Sequence, residues 1–301
     1  MSADAGGWKV TLPCTRAEAE ALPFADDVFA DLDQPPTLIA DEPDPAQPDD
    51  WRLHAYFADE PEPEWLARLV AMAPARGASP MVEKLPDNDW VTLSQAGLTP
   101  VSAGRFHVAT RAHAHERRPG QIGLVIEAGL AFGTGQHATT HGCLRAIDRL
   151  ADAHRFANIL DLGTGTGVLA MAAAKRWRRA RVTASDIDPV SVAVTRANVR
   201  DNGLSLGIGV GRIEVFTATG MADARLVRRG PYDLIAANIL AAPLVDLAGP
   251  VSAVLARGGY LVLAGLLDSQ AVRVAAAYAS RGLKSVSTSG GEWPTLVLRR
   301  A

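Results

Sequence analysis

A chain of 301 residues is long enough for one sizeable core and a second, smaller one, since domains run to roughly 100–200 residues. Its two cysteines, Cys14 and Cys143, lie far apart and in no C-x-x-C pattern, which excludes a disulfide framework and a cysteine zinc site and predicts two small buried side chains. The net charge of −3 divides unevenly: residues 1–100 carry 19 Asp/Glu against 6 Lys/Arg, net −13, and the remainder 14 against 24, net +10.

The Met1 end has no basic segment leading into an apolar core. The most apolar stretch, 234–255, is broken by Asn238, Pro243, Asp246 and Pro250, so the expectation is a soluble cytoplasmic protein without a membrane span. An acidic first hundred residues suits a basic protein partner better than a nucleic-acid backbone, and no direct nucleic-acid binding is expected. The acidic runs at 41–50 and 59–64 also read simply as solvated Pro-rich loops.

In chain order, residues 8–12 read as strand, 16–22 as helix, 37–40 and 51–57 as strands, 64–72 as helix and 81–85 as strand. This β-α-β-β-α-β order predicts a small α+β, ferredoxin-like domain over 1–86, placed as a substrate-recognition module because it holds no catalytic constellation. Residues 87–97 read as a short linking helix within a linker 87–104. Residues 105–127, with His113, His115, Glu116, Arg117 and Arg118, read as an irregular entry to a second domain, 105–301. From residue 158 the pattern becomes regular, with strands at 159–162, 182–186, 213–217, 234–238 and 260–264 and helical segments between them. That alternation predicts a doubly wound, mostly parallel sheet. The last two strands, 284–289 and 295–299, flank Gly290-Gly291 and predict an antiparallel hairpin at one sheet edge, as in Rossmann-like methyltransferases.

Four segments carry the chemistry. Asp161-Leu162-Gly163-Thr164-Gly165-Thr166-Gly167 follows an apolar strand and precedes a helix, so its glycines let the backbone turn sharply beside a nucleotide-like ligand. A dinucleotide fingerprint would need glycine where Val168 stands, so the spacing favours S-adenosylmethionine over NAD, with Gly163 and Gly165 against the cofactor. Asp161 is then placed to meet the cofactor ammonium, directly or through water. Asp186 ends the next strand, 19 residues after Gly167, where a carboxylate accepts from both ribose hydroxyls or caps a helix; Asp188, followed by Pro189, reads as the cap.

The run 232–241 ends an apolar strand in Asn238, an amide that can orient an incoming amine, contact the methionine part of the cofactor, or cap a helix. It continues Ile239-Leu240-Ala241 rather than Pro-Pro-aromatic, which favours an aliphatic amine over a base or amide nitrogen. Upstream, 129–140 sets Gly133-Thr134-Gly135 and the pair Thr139-Thr140 where they can fold over the reacting centre; Phe132 and His137 lie in it without an assigned role. The histidines show no metal spacing, and no metal is assigned.

Taken together, GLAFGTGQHATT at 129–140, LDLGTGTGVLAMAAAK at 160–175, SDIDPVSV at 185–192, ANILAAPLVDLA at 237–248 and GGYLVLAGLL at 258–267 resemble the ribosomal protein L11 (L-eleven) methyltransferases, PrmA. The sequence departs from that family's usual pattern at Gln136 and Ala138. The resemblance implies an N-terminal recognition domain, a linker and a catalytic domain, and cofactor contacts at Thr140, Gly163, Asp186 and Asn238. It also implies methyl transfer to amino groups, lysine side chains or the N-terminal amine, of a large-subunit ribosomal protein. Two other readings compete: a methyltransferase of the same fold acting on another protein, RNA or a small molecule, and a cofactor-binding protein without turnover.

Overall fold

Alternate burial along the first strand sets the architecture of the N-terminal region. The computed structural model describes residues 7–21, 28–29, 32, 35–41, 51–57, 59–77, 79–84, 100–126 and 138–301, so the expected linking helix at 87–97 and the loop 129–137 lie outside the described residues. In β1 (Trp8–Cys14), Val10, Leu12 and Cys14 point inward, and β3 (Trp51–Phe57) answers with Leu53, Ala55 and Phe57. With β2 (Thr37–Asp41) and β4 (Met81–Lys84) they form an antiparallel sheet in the order β2-β3-β1-β4. Helices α1 (Arg16–Ala21) and α2 (Pro63–Met72) complete the split β-α-β arrangement. A capping box starts α1: the Glu18 carboxylate accepts from the Thr15 amide at 2.7 Å, and the Thr15 hydroxyl accepts from the Glu18 amide at 3.3 Å. Phe57 stacks on Trp65 of α2 at 5.6 Å between centroids.

The chain divides into two compact units, Met1–Ser94 and Gln95–Ala301. The second begins with structure that the sequence pattern does not announce. Residues expected to be linker and irregular entry form a three-stranded sheet of β5 (Val101–Ala103), β6 (Phe106–Ala109) and β7 (Ile122–Val125), with a 3-10 turn at Arg111–Glu116. Ala103, Phe106, Val108, Leu124 and Ile126 pack in one core with α3 (Ala138–Ala153) and α4 (Val168–Arg176). Asp148 of α3, 8% exposed, clamps this edge: it accepts from the Arg105 amide at 2.9 Å and pairs with the Arg105 and Arg176 guanidiniums, each at 3.1 Å.

The large sheet follows from the β/α alternation. It holds β8 (Asn158–Leu162), β9 (Arg181–Asp186), β10 (Ser205–Leu206), β11 (Arg212–Thr217), β12 (Tyr232–Asn238), β13 (Leu255–Ala264), β14 (Leu283–Thr288) and β15 (Leu296–Arg300) in the order β10-β11-β9-β8-β12-β13-β15-β14. All are parallel up to β13; β15 runs antiparallel to both its neighbours. The expected hairpin is present, but its second strand inserts between β13 and β14 and its turn spans residues 289–295, closed by the Ser289 amide donating to the Thr295 carbonyl at 3.0 Å.

Both faces of the sheet are covered, which is why its central strands are apolar without alternation. Ile159, Val182, Leu234 and Val262 face α3, α4 and α5 (Pro189–Asp201). Their neighbours Leu160, Ile235, Leu261 and Leu263 face Leu244, Val251, Val274 and Tyr278 on the other side. Those four come from α7 (Ala241–Asp246), α8 (Ala248–Val254) and α9 (Asp268–Ala279), and α6 (Ala224–Arg229) completes the layer. Each such side chain stabilises the fold by about 1.5–3 kcal/mol. Cys14 and Cys143 are free and buried. Among the described residues no helix is long and apolar enough to cross a membrane.

Candidate functional site

Parallel strands that end together put the polar residues at their ends together. Asp161 pairs in register with Ala184 of β9 and Ala236 of β12, and Leu162 with Ser185 and Ala237, so β8, β9 and β12 finish level at the carboxyl edge of the sheet. There the chain after β8 turns through Gly163, Gly165 and Gly167 at φ of 75°, 53° and 82°. The turn is pinned by the Gly163 and Thr164 amides, which both donate to the Ser185 carbonyl at 2.8 and 3.0 Å. At two positions glycine is required twice over: a Cβ on Gly163 would lie 2.3 Å from Ile239 Cγ2, and one on Gly167 2.7 Å from Thr195 Cγ2.

Asp161 is 1% exposed. Its Oδ2 accepts from the Thr164 hydroxyl at 2.7 Å and from the Ala170 amide at 3.0 Å, so it ties the glycine turn to the first turn of α4, which has no side-chain cap of its own. Its Oδ1 is buried and has no partner. Burial pushes the Asp161 pKa up to about 6, and the nearby Asp186 carboxylate adds to the rise. Asp186 accepts from the Gly165 amide at 2.8 Å on one oxygen and from the Asp188 amide at 3.1 Å on the other. The helix cap belongs to Asp188, which accepts from the Val190 and Ser191 amides at 2.8 and 3.0 Å; the Ser191 hydroxyl, then these two amides, hold it below the usual carboxylate range. Asp186 is thereby left facing the glycine turn.

Asn238 ends β12 beside Ala264 of β13. Its amide nitrogen donates to the Thr140 hydroxyl at 3.3 Å across 98 residues of sequence, and its Oδ1 is buried without a partner. Thr140 itself is fully buried. The helix-cap alternative for Asn238 is not realised: the residue preceding α7 is Leu240, with no side-chain cap. The structure therefore brings together Thr140, Asp161, Gly163, Gly165, Asp186 and Asn238; Phe132 and His137 lie outside the described residues. Two exposed apolar residues sit on the same edge, of which the sequence reading singles out only Leu240. Ile187, 65% exposed, follows Asp186, and Leu240, 73% exposed, follows Ile239. An apolar side chain placed immediately after the strand-terminal Asp186 is the signal that marks Ile187; Leu240 lies two residues beyond the strand-terminal Asn238.

Buried acceptors in folded proteins are nearly always matched, so the bare oxygens of Asp161 and Asn238 at one sheet edge point to a ligand that donates. An ammonium suits Asp161 and a ribose diol suits Asp186, both of which S-adenosylmethionine carries. A dinucleotide fits poorly, because the Asp161 carboxylate already occupies the helix start where a pyrophosphate would have to lie.

Comparison with known proteins agrees with this geometry. Residues 18–301 match the profile of the family described as ribosomal protein L11 methyltransferase (PrmA). A relative named ribosomal protein L11 methyltransferase from Bradyrhizobium diazoefficiens is 44% identical over 254 residues, 83% of this chain and 84% of that protein. A protein of the same name from Rhizobium johnstonii is 39% identical over 295 residues, 97% of this chain and 99% of its own length. Among solved structures, a ribosomal protein L11 methylase from Lactobacillus delbrueckii subsp. bulgaricus superposes with a TM-score of 0.57 at 27% identity, covering 68% of this chain and 100% of that one.

Proposed function

The chain belongs to the ribosomal protein L11 methyltransferase (PrmA) family, and from that premise we propose that it is a cytoplasmic enzyme that moves methyl groups from S-adenosylmethionine to amino groups of ribosomal protein L11. The observation that carries this reading is the pair of buried, unmatched acceptors, Asp161 Oδ1 and Asn238 Oδ1, at the end of adjacent parallel strands.

S-adenosylmethionine supplies, when bound, a methyl group activated by its sulfonium. What the protein must add is position. In this reading Asp161 holds the cofactor ammonium, Asp186 takes the ribose hydroxyls, and Gly163 and Gly165 allow the backbone to approach closely. Thr140 fixes the Asn238 amide by accepting from its nitrogen, which leaves Oδ1 to accept an N–H of the incoming amine and to orient the nitrogen lone pair. A lysine with pKa near 10.4 is neutral in only about one part in a few thousand at pH 7, so the amine must lose a proton to water on entering the site; an α-amine, with pKa near 8, does so more readily. Ile239-Leu240-Ala241 in place of a stacking Pro-Pro-aromatic run supports an aliphatic amine.

The first unit is proposed as the recognition module. Its charge supports a basic protein target, since residues 1–100 carry 19 acidic against 6 basic side chains. Transfer of labelled methyl to purified ribosomal proteins, followed by mass spectrometry, tests the whole reading, with Asp186→Ala as control. Label in L11 that is lost in the variant is expected. Label elsewhere would retain the reaction and discard the substrate, and no transfer at all would favour a binding protein without turnover.

A further inference from the structure

The opposite edge of the same sheet carries a feature that methyl transfer does not use. Four adjacent strands, β11, β9, β8 and β12, each bring an exposed arginine to their amino ends: Arg212 opens β11, Arg181 opens β9 with Arg178 and Arg179 just before it, Arg155 precedes β8 and Arg228 precedes β12. With strands about 4.8 Å apart, the row runs for about 15 Å. The row is close-knit, since the Gly211 amide donates to the Ala180 carbonyl at 3.0 Å between Arg179 and Arg181. None of these six guanidiniums has an acidic partner among the described residues, whereas their neighbour Arg229 is paired with Glu214.

At this edge lies a cavity of about 520 Å³, lined by Arg181 and Arg228 of the row, by the Glu214–Arg229 pair, by Asp233 and by the loop at Ile208. Ile208 is 74% exposed and Val210 63%. The Asp233 Oδ2 accepts from the Ala157 and Asn158 amides at 2.7 and 2.9 Å, leaving Oδ1 as an acceptor at the cavity. The arginines attract any polyanion, and the carboxylate acceptor beside them favours one that brings N–H donors next to its charge, as a nucleotide does. Its phosphate would meet guanidinium forks, its base would turn N–H groups toward Asp233, and its sugar would lie against Ile208.

We propose that this edge binds single-stranded RNA, with one nucleotide in the cavity and flanking phosphates along the arginine row. The row is longer than one phosphate group requires, which favours a strand over a free nucleotide. The acidity of residues 1–100, which argues against nucleic acid, belongs to the other unit; residues 101–300 hold 24 basic against 14 acidic side chains. Binding here does not depend on the methyl-transfer reading, because Arg181 and Asp186 stand at opposite ends of β9, about 16 Å apart along the strand.

The test uses the full chain and a fluorescein-labelled 12-nucleotide single-stranded RNA, titrated by anisotropy from 0.05 to 0.3 M salt, with AMP and poly-glutamate as competitors. The variant is R178A/R181A/R228A, whose three side chains are exposed and unpaired. Losing three phosphate contacts should reduce the log–log salt slope by about 2 and weaken binding about 100-fold at 0.1 M salt. Binding of S-adenosylmethionine by the variant should be unchanged, which separates a lost surface from a lost fold. Wild-type protein that does not bind the RNA, a variant that binds it equally well, AMP displacing it at the oligonucleotide's own affinity, or poly-glutamate competing as strongly would each overturn the proposal.

Discussion

Lowering the pH from 7 to 5 should release the cofactor, through Asp161. With its pKa pushed up to about 6 by burial, this carboxyl is about 90% ionised at pH 7 and about 10% ionised at pH 5 in the ligand-free protein. A bound ammonium requires the ionised form, so affinity for S-adenosylmethionine should fall about tenfold over those two pH units, with about half a proton released on binding at pH 6 and close to one at pH 5. Above pH 8 affinity should fall again as the ligand's own α-amine loses its charge. The stability of the ligand-free protein moves the other way. A carboxyl whose folded pKa lies above its unfolded 3.8 gives stability that is complete below pH 3.8 and is lost as pH rises through about 6, on the order of 3 kcal/mol in all.

Asp161→Asn removes the charge at nearly constant shape. Its carbonyl would turn to the Thr164 hydroxyl and Ala170 amide, setting an NH2 group where Oδ1 now lies and opposing the ammonium with another donor. Isothermal titration from pH 5 to 8.5 should show a wild-type optimum between 6 and 8, and for the variant a loss of about 10- to 100-fold at pH 7 with no decline toward pH 5. A wild-type affinity that stays flat from pH 5 to 7, or a variant that binds as tightly as wild type, would refute the assignment of Asp161 to the ammonium.

Asn238→Ala should leave cofactor binding within a few-fold while lowering turnover about 100-fold at saturating cofactor, as expected for lost orientation of the amine; unchanged turnover in a methyl-transfer assay would remove Asn238 from the mechanism. Gly163→Ala forces an L side chain to φ 75° and a Cβ to 2.3 Å from Ile239, so thermal unfolding should show a loss of about 1–3 kcal/mol and cofactor binding should weaken. Adding Ile239→Ala should recover the steric part alone. Asp148→Ala strips the shared partner from Arg105 and Arg176 and should cost about 3–5 kcal/mol, read as a fall in Tm on the order of 10 °C, without a change in the KM for cofactor in the protein that remains folded.

Much of this was legible in the sequence because the informative residues are local breaks in pattern. An apolar run that stops at Asp161, Asp186 or Asn238 marks the end of a buried parallel strand, and parallel strands put all such ends on one edge. Residues 101–125 were not legible, because strands of three and four residues are too short to display a period. The hairpin after residue 282 announces itself by its turn, but nothing local states that β15 inserts between β13 and β14; β13 chooses it as a neighbour through long-range pairing.

The sequence by itself determined the order of elements, the glycine turn and the chemical character of each strand end, since these depend on residues within a few positions of one another. Only the tertiary structure decided what meets what. It set the Asn238 amide on Thr140 across 98 residues, left one oxygen of Asp161 bare while using the other to start a helix, and lined up arginines from positions 155 to 228 along one edge. The physical reason is that a hydrogen bond or a charge row depends on distance in space. In a doubly wound sheet that distance is set by strand order and register, which the packing of the whole core selects.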